Sequence, residues 1–188
     1  LLGGTPSGSG TWRDPANGAF SGTFVPGTST PGVYAYVVTG TAPCANDTGF
    51  VTVSVSVAPN AGSNGATTVC SSDAPFPLFP LLGGTPTAGG SWTRPNGTPH
   101  PTGVYTPGAS SAGGYTYTVA GTTPCLDASA VVVVSENRQP VAGSNGSFQR
   151  CSTDGPVDLF TILGGTPDAG GSWSGPGGAS SGVFLLVT

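Results

Sequence analysis

The residues through which this chain could do chemistry are four cysteines and three tryptophans, and both sets recur at matched positions. Cys44 matches Cys125, Cys70 matches Cys151, and Trp12, Trp92 and Trp173 keep the same beat. Cysteines at repeated positions offer disulfide formation or metal ligation. Ligation is poorly supported. No Cys-x-x-Cys occurs, and the single histidine, His100, has no counterpart in the other copies. A disulfide framework is the better reading, and it implies an oxidising compartment. The pairing stays open. A Cys70–Cys125 bond would close a loop of about 55 residues inside one copy, while Cys44–Cys70 and Cys125–Cys151 would each close about 26 across a junction. Loop entropy assigns these about 4.2 and about 3.5 kcal/mol, too small a gap to decide. A unit that carries its own staple favours Cys70–Cys125, leaving Cys44 and Cys151 to partners beyond the chain.

The other side chains give a blander picture. A tryptophan can serve as a sugar-stacking platform, but these three sit beside Gly-Ser or Gly-Thr strand starts, where a core plug is expected. Tyr34 and Tyr36, like Tyr115 and Tyr117, are two apart, so each pair shares one sheet face. Buried rings with hydroxyls at the rim follow. The aspartates are scattered and form no Asp-x-Asp-x-Asp-Gly loop, so no calcium cage is expected. Asp73 and Asp154 follow Cys70 and Cys151, and Asp47 and Asp127 follow the other two cysteines; all four read as loop caps. His100, between Pro99 and Pro101, reads as a surface loop residue. No catalytic residue, cofactor site or metal site is expected.

These positions are held by a repeat. Leu2-Gly3-Gly4-Thr5-Pro6 returns at Leu82–Pro86 and again at Leu163–Pro167. The period, near 80, is that of a small domain and not of a solenoid turn. Pro59 and Pro140 mark short junctions that restrict bending. The copies are then 1–59, the C-terminal part of one unit; 60–140, a complete unit; and 141–188, the N-terminal part of a third. The array is expected to continue in both directions. In the complete copy, short strands are expected at 66–70, 90–93, 103–107, 113–120 and 128–135. The last is set in a register that places Val131 and Val133 beside valines of the first copy's strand at 51–57. The prolines of 75–82 argue against a helix and for an edge segment. Seven or so short strands around one buried Trp describe an all-β fold of tandem immunoglobulin-like β-sandwich modules.

Composition narrows function by exclusion. Only 6% of residues are charged, the net charge is −4, and no lysine is present. That removes Schiff-base chemistry, a lysine phosphate cradle, a basic patch and a Lys–Asn isopeptide crosslink. It also weighs against nucleic acid and anionic membrane as partners, and no apolar run is long enough for a membrane-spanning helix. Thirty-three Gly and nineteen Pro would suggest disorder by themselves, but the alternating strand patterns override that.

The strings Asn60–Gly65, Val69–Ser72, Leu82–Pro86, Gly90–Trp92, Tyr115–Val119 and Pro124-Cys125 resemble tandem repeats of very large Bacteroidota cell-surface adhesins. Many of those are exported by the type IX secretion system, gliding-motility adhesins of the SprB kind among them. The resemblance covers the whole chain. It implies an extracellular, cell-surface location and Ig-like modules. With the repeat and the lack of a visible active site, a non-enzymatic stalk or fibre is expected, its partners neighbouring repeats and, through adhesion, polysaccharide or other surfaces. Two alternatives are a carbohydrate-binding module, using the tryptophans, and a self-assembling surface filament.

Overall fold

A computed structural model describes residues 3–6 and 8–184. Leu2 of the first motif lies outside them. The described chain is nearly all β, in several largely antiparallel sheets.

The first copy supplies β1 (Thr11–Arg13), β2 (Ala19–Phe20), β3 (Gly32–Val38) and β4 (Asp47–Val53), in sheet order β2-β1-β3-β4. Trp12 sits opposite Phe20 on one side and Tyr36 on the other. Period-two alternation turns Tyr34 and Tyr36 inward, as their spacing requires.

The second copy supplies β5 (Gly65–Cys70), β6 (Phe76–Pro77), a 3₁₀ turn (Phe79–Leu81), β7 (Ser91–Thr93), β8 (Val104–Tyr105), β9 (Gly113–Val119) and β10 (Ala128–Asn137). One sheet runs β5-β10-β9-β7, and β6 pairs β8 in another. β5 lies parallel to β10 in a register running from Gly65–Val132 to Cys70–Asn137. The third copy supplies β11 (Val157–Asp158), a 3₁₀ turn (Leu159–Ile162), β12 (Trp173–Gly175), β13 (Gly178–Ser180) and β14 (Val183–Phe184). Here β11 pairs β14 and β12 pairs β13.

The chain divides into two compact units. One comprises Leu1–Gly62, Gly84–Ser91 and Tyr117–Ala130. It buries Tyr34, Tyr36, Ala61, Tyr117, Val119 and Ala130. The other comprises Ser63–Gly83, Trp92–Thr116 and Val131–Thr188. It buries Leu78, Leu82, Trp92, Tyr105, Tyr115, Val132, Val134 and Val157.

Three expectations need correction. Residues 75–82 are not only an edge strand, because the chain also winds a 3₁₀ turn at Phe79–Leu81 with a proline in its first positions, where no amide hydrogen is required. In β10 it is Val132 and Val134 that face inward, at 0% and 1% exposure, while Val133 is 45% exposed. The copies are offset by 81 residues here, and an offset of 80 flips every side chain to the wrong face. In the first copy, β4 spans Asp47–Val53, and 54–57 form no ladder. Their counterparts in β10, Ser135–Asn137, pair with β5, and the chain holds no first-copy counterpart of β5.

Candidate functional site

Each tryptophan packs against a glycine. A Cβ on Gly22 would come within 2.9 Å of Trp12, on Gly103 within 2.8 Å of Trp92, and on Gly182 within 2.5 Å of Trp173. All three glycines have positive φ, at 88°, 59° and 81°. Close approach and backbone conformation therefore both require glycine. Trp92 is only 8% exposed, so it has no open face on which a sugar could stack. Trp12 and Trp173 are half-buried. Trp12 lines a cavity of about 370 Å³ with Phe20, Phe24 and Tyr34. Trp173 lines one of about 440 Å³ with Phe160, Leu163, Asp168 and Ser181.

The paired tyrosines bond to the backbone. Tyr34 donates to Thr30 O at 2.7 Å and Tyr115 to Ser111 O at 2.8 Å, each four residues upstream. Two residues on, Tyr36 accepts from Gly10 N and Tyr117 from Gly90 N, both at 2.8 Å. Tyr117 also donates to Thr87 O at 2.7 Å. The Leu-Gly-Gly-Thr-Pro motif closes in the same reciprocal way. Gly83 and Ser63 exchange two backbone hydrogen bonds, as do Gly164 and Ser144.

All four cysteines are free thiols. Cys70 ends β5 opposite Asn137, its amide donates to Asp73 Oδ2 at 2.8 Å, and its sulfur accepts from Ser72 Oγ at 3.2 Å. Cys151 repeats this with Asp154 Oδ2 at 2.9 Å and Thr153 Oγ1 at 3.4 Å. Hydrogen bonds from Thr153 hold this exposed thiol below its ordinary pKa. Cys125 lies in a loop closed by Gly121 N donating to Asp127 Oδ1 at 2.8 Å, and its thiol donates to Ser56 O at 3.4 Å. The Cys44 loop is closed by Gly40 N donating to Asn46 Oδ1 at 3.0 Å. Asn46, not Asp47, is thus the counterpart of Asp127; Asp47 accepts from Thr48 N.

This arrangement corrects the favoured Cys70–Cys125 pair. Cys70 stands beside the last residue of β10, whereas Cys125 precedes its first. Ten residues of strand span about 30 Å, and a disulfide needs Cα atoms within about 7 Å. The cross-junction pairs Cys44–Cys70 and Cys125–Cys151 are not formed either.

His100 also departs from expectation. It is 5% exposed, with its ring 5.3 Å from that of Tyr115 and Nε2 on Val104 O at 3.0 Å; Nδ1 has no hydrogen-bond partner. The flanking prolines suggested a loop tip, but His100 N bonds Trp92 O and draws the ring inward. Residue type alone did not reveal two further polar contacts. Glu136, the chain's one glutamate, accepts from Tyr105 OH at 2.8 Å and Gly108 N at 3.1 Å. Burial first, then this carboxylate, raises the Tyr105 phenol well above the ordinary tyrosine range. Arg138 pairs with Asp168 at 2.7 Å, and Asp168 Oδ2 also accepts from Val141 N at 2.8 Å. The Arg138 hydrogen bond, followed by that from Val141, holds Asp168 below the ordinary carboxylate range.

No family model matches this chain, and no curated protein matches it. Among the described residues, no three of His, Cys, Asp and Glu gather where a metal could bind, and no helix is long and apolar enough to cross a membrane. The repeated side chains instead spend their polar atoms on their own backbone, which leaves the cysteines and the two tryptophan cavities as the chemically open features.

Proposed function

We propose that the chain is a repeat segment of an extracellular cell-surface adhesin, in which immunoglobulin-like modules of about 80 residues build a stalk or fibre. The module reading is supported by the strand order β5-β10-β9-β7, with β5 parallel to β10, and by the pairing of β6 with β8. A buried Trp on β7 and a Tyr on β9 that bonds back to the fourth residue upstream are also features of that sandwich. Tyr117 stands two residues after that tyrosine, where antibody domains carry a disulfide cysteine. The cysteines of this chain are therefore free for another purpose.

One observation carries the stalk reading. The repeated residues are used up by packing: Trp on Gly, Tyr on Gly N–H, and Ser on Gly. Such a repeat preserves a fold and leaves its copies to add length. The surface location and the non-enzymatic role rest on the resemblance to adhesin repeats and on the lysine-free, weakly charged composition. Small-angle scattering tests the stalk, comparing this chain with one lengthened by further copies of 60–140. The maximum dimension should grow by a constant step of about 40 Å per copy, the length of a sandwich of strands with ~3.3 Å rise per residue. Growth that levels off would rule the stalk out. Antibody labelling of intact cells tests the location, and a signal that requires permeabilisation would refute it.

The carbohydrate reading rests on the cavity beside Trp173, where an indole, Asp168 and Ser181 meet. Glycan binding that is lost in Trp173→Ala while the chain stays folded would favour it. The same binding surviving that change would exclude it.

A further inference from the structure

We propose that the two cysteine positions pair between successive copies: the cysteine ending β5 of one copy bonds the loop cysteine of the copy that follows. This rests on the array reading above and assigns the thiols the role of locking each junction.

The argument runs through Ser56. It corresponds to Asn137, 81 residues later, as Cys44 corresponds to Cys125. In the second copy Cys70 is the direct neighbour of Asn137 in the β5–β10 ladder. The first copy's own β5 cysteine, which precedes residue 1, would therefore stand beside Ser56. Cys125 is already there, its thiol donating to Ser56 O at 3.4 Å, while Ser56 Oγ donates to Thr123 O at 3.4 Å. Paired strands lie about 4.8 Å apart, so the first-copy cysteine and Cys125 would both border Ser56, and a disulfide spans Cα separations of about 4.4–6.8 Å. The place such a strand would take is open. Residues 54–57 have no ladder partner, and Val57 and Leu126, beside Ser56 and Cys125, are 89% and 87% exposed.

The pairing also explains why 1–188 contains four thiols and no bond. The first-copy counterpart of Cys70 and the third-copy counterpart of Cys125 both fall outside these residues. The β5 cysteine of the third copy is placed to react, since Thr153 donates to the Cys151 sulfur. A hydroxyl donor stabilises the thiolate that attacks in exchange. The Cys70-type thiolate attacks a protein or small-molecule disulfide, giving a mixed disulfide and expelling one thiolate. The Cys125-type thiolate of the next copy then displaces the second. One S–S bond forms between copies, two protons are lost, and two electrons pass to the oxidant, which leaves as two thiols.

The test uses this chain lengthened by one tandem repeat of 60–140, placed after residue 140 and folded in a glutathione redox buffer. The first tandem copy then supplies a β5 cysteine to the loop cysteine of the second. Thiol counting should show two of six cysteines lost. Cys70→Ser in the first tandem copy should abolish the bond, and the same change in the second should leave it intact. A Thr68→Ser mark in the first copy alone identifies its peptide by mass in a non-reducing digest, with every sulfur retained. The opposite dependence, a bond within one copy, or six free thiols in folded protein would overturn the proposal. Six free thiols with a constant length increment would leave the stalk standing. The predicted bond without that increment would leave the lock standing and remove the stalk.

Discussion

Tyr117 holds two backbone groups with one hydroxyl, donating to Thr87 O and accepting from Gly90 N. Removing it leaves both without that partner at a ring only 1% exposed. Tyr117→Phe should therefore cost about 1–3 kcal/mol, read as a lower urea midpoint at unchanged slope; an unmoved midpoint would show that the hydroxyl is dispensable. Tyr105 makes a different prediction. Its pKa, like that of Tyr115, is raised in the folded state, first by burial. Below the ordinary tyrosine value of 10.0 both states keep the proton, and the contribution to stability is whole. As pH rises past it the unfolded chain ionises first, so stability is lost with alkali. Tyr105→Phe should flatten that alkaline loss, measured by circular dichroism against pH. Burial of the tyrosines was legible from their period-two spacing, and that of Trp92 from its position. His100 was misjudged because its flanking prolines describe the chain path and say nothing of where a ring goes.

β10 shows how finely a strand depends on register. Val132 is fully buried and Val133 nearly half exposed, although the two are identical in type and adjacent in sequence. Val132→Asp should destabilise by more than about 3 kcal/mol, because an unpaired carboxylate enters the core. Val133→Asp should stay within about 0.5 kcal/mol. Equal effects in thermal melts would mean that the face assignment is wrong. The strand itself was visible in four consecutive valines, but a run apolar on both faces carries no phase of its own, and its pairing in the sheet supplies one. Similarly, the within-copy cysteine pair looked natural on a map of sequence distances. It failed because parallel pairing sends Cys70 to the end of β10 remote from Cys125.

For the molecule as a whole, scarcity of charge makes each ion pair conspicuous. Arg138 and Asp168 form the one salt bridge among the described residues, and it joins the second copy to the third. The folded pKa of Asp168 is depressed, so its contribution is present above the ordinary carboxylate range and is lost as pH falls below it. Arg138→Ala should move the Asp168 titration, followed by carboxyl carbon shifts, back up toward ordinary; an unmoved titration would assign the depression to Val141 N alone. The counterparts at the preceding junction are Val57 and Thr87, so that junction should lack this response to acid. The parallel β5–β10 ladder has a further consequence when the chain is pulled by its two ends. Force enters β5 at Gly65 and leaves β10 at Asn137, at opposite ends of their shared register. The load therefore runs along the strands and shears every rung at once. The antiparallel β3–β4 pair, loaded at Gly32 and Val53, would instead open like a zipper, one rung at a time. Topology thus gives the complete copy a stiff direction, and it is the direction in which a tether is stretched.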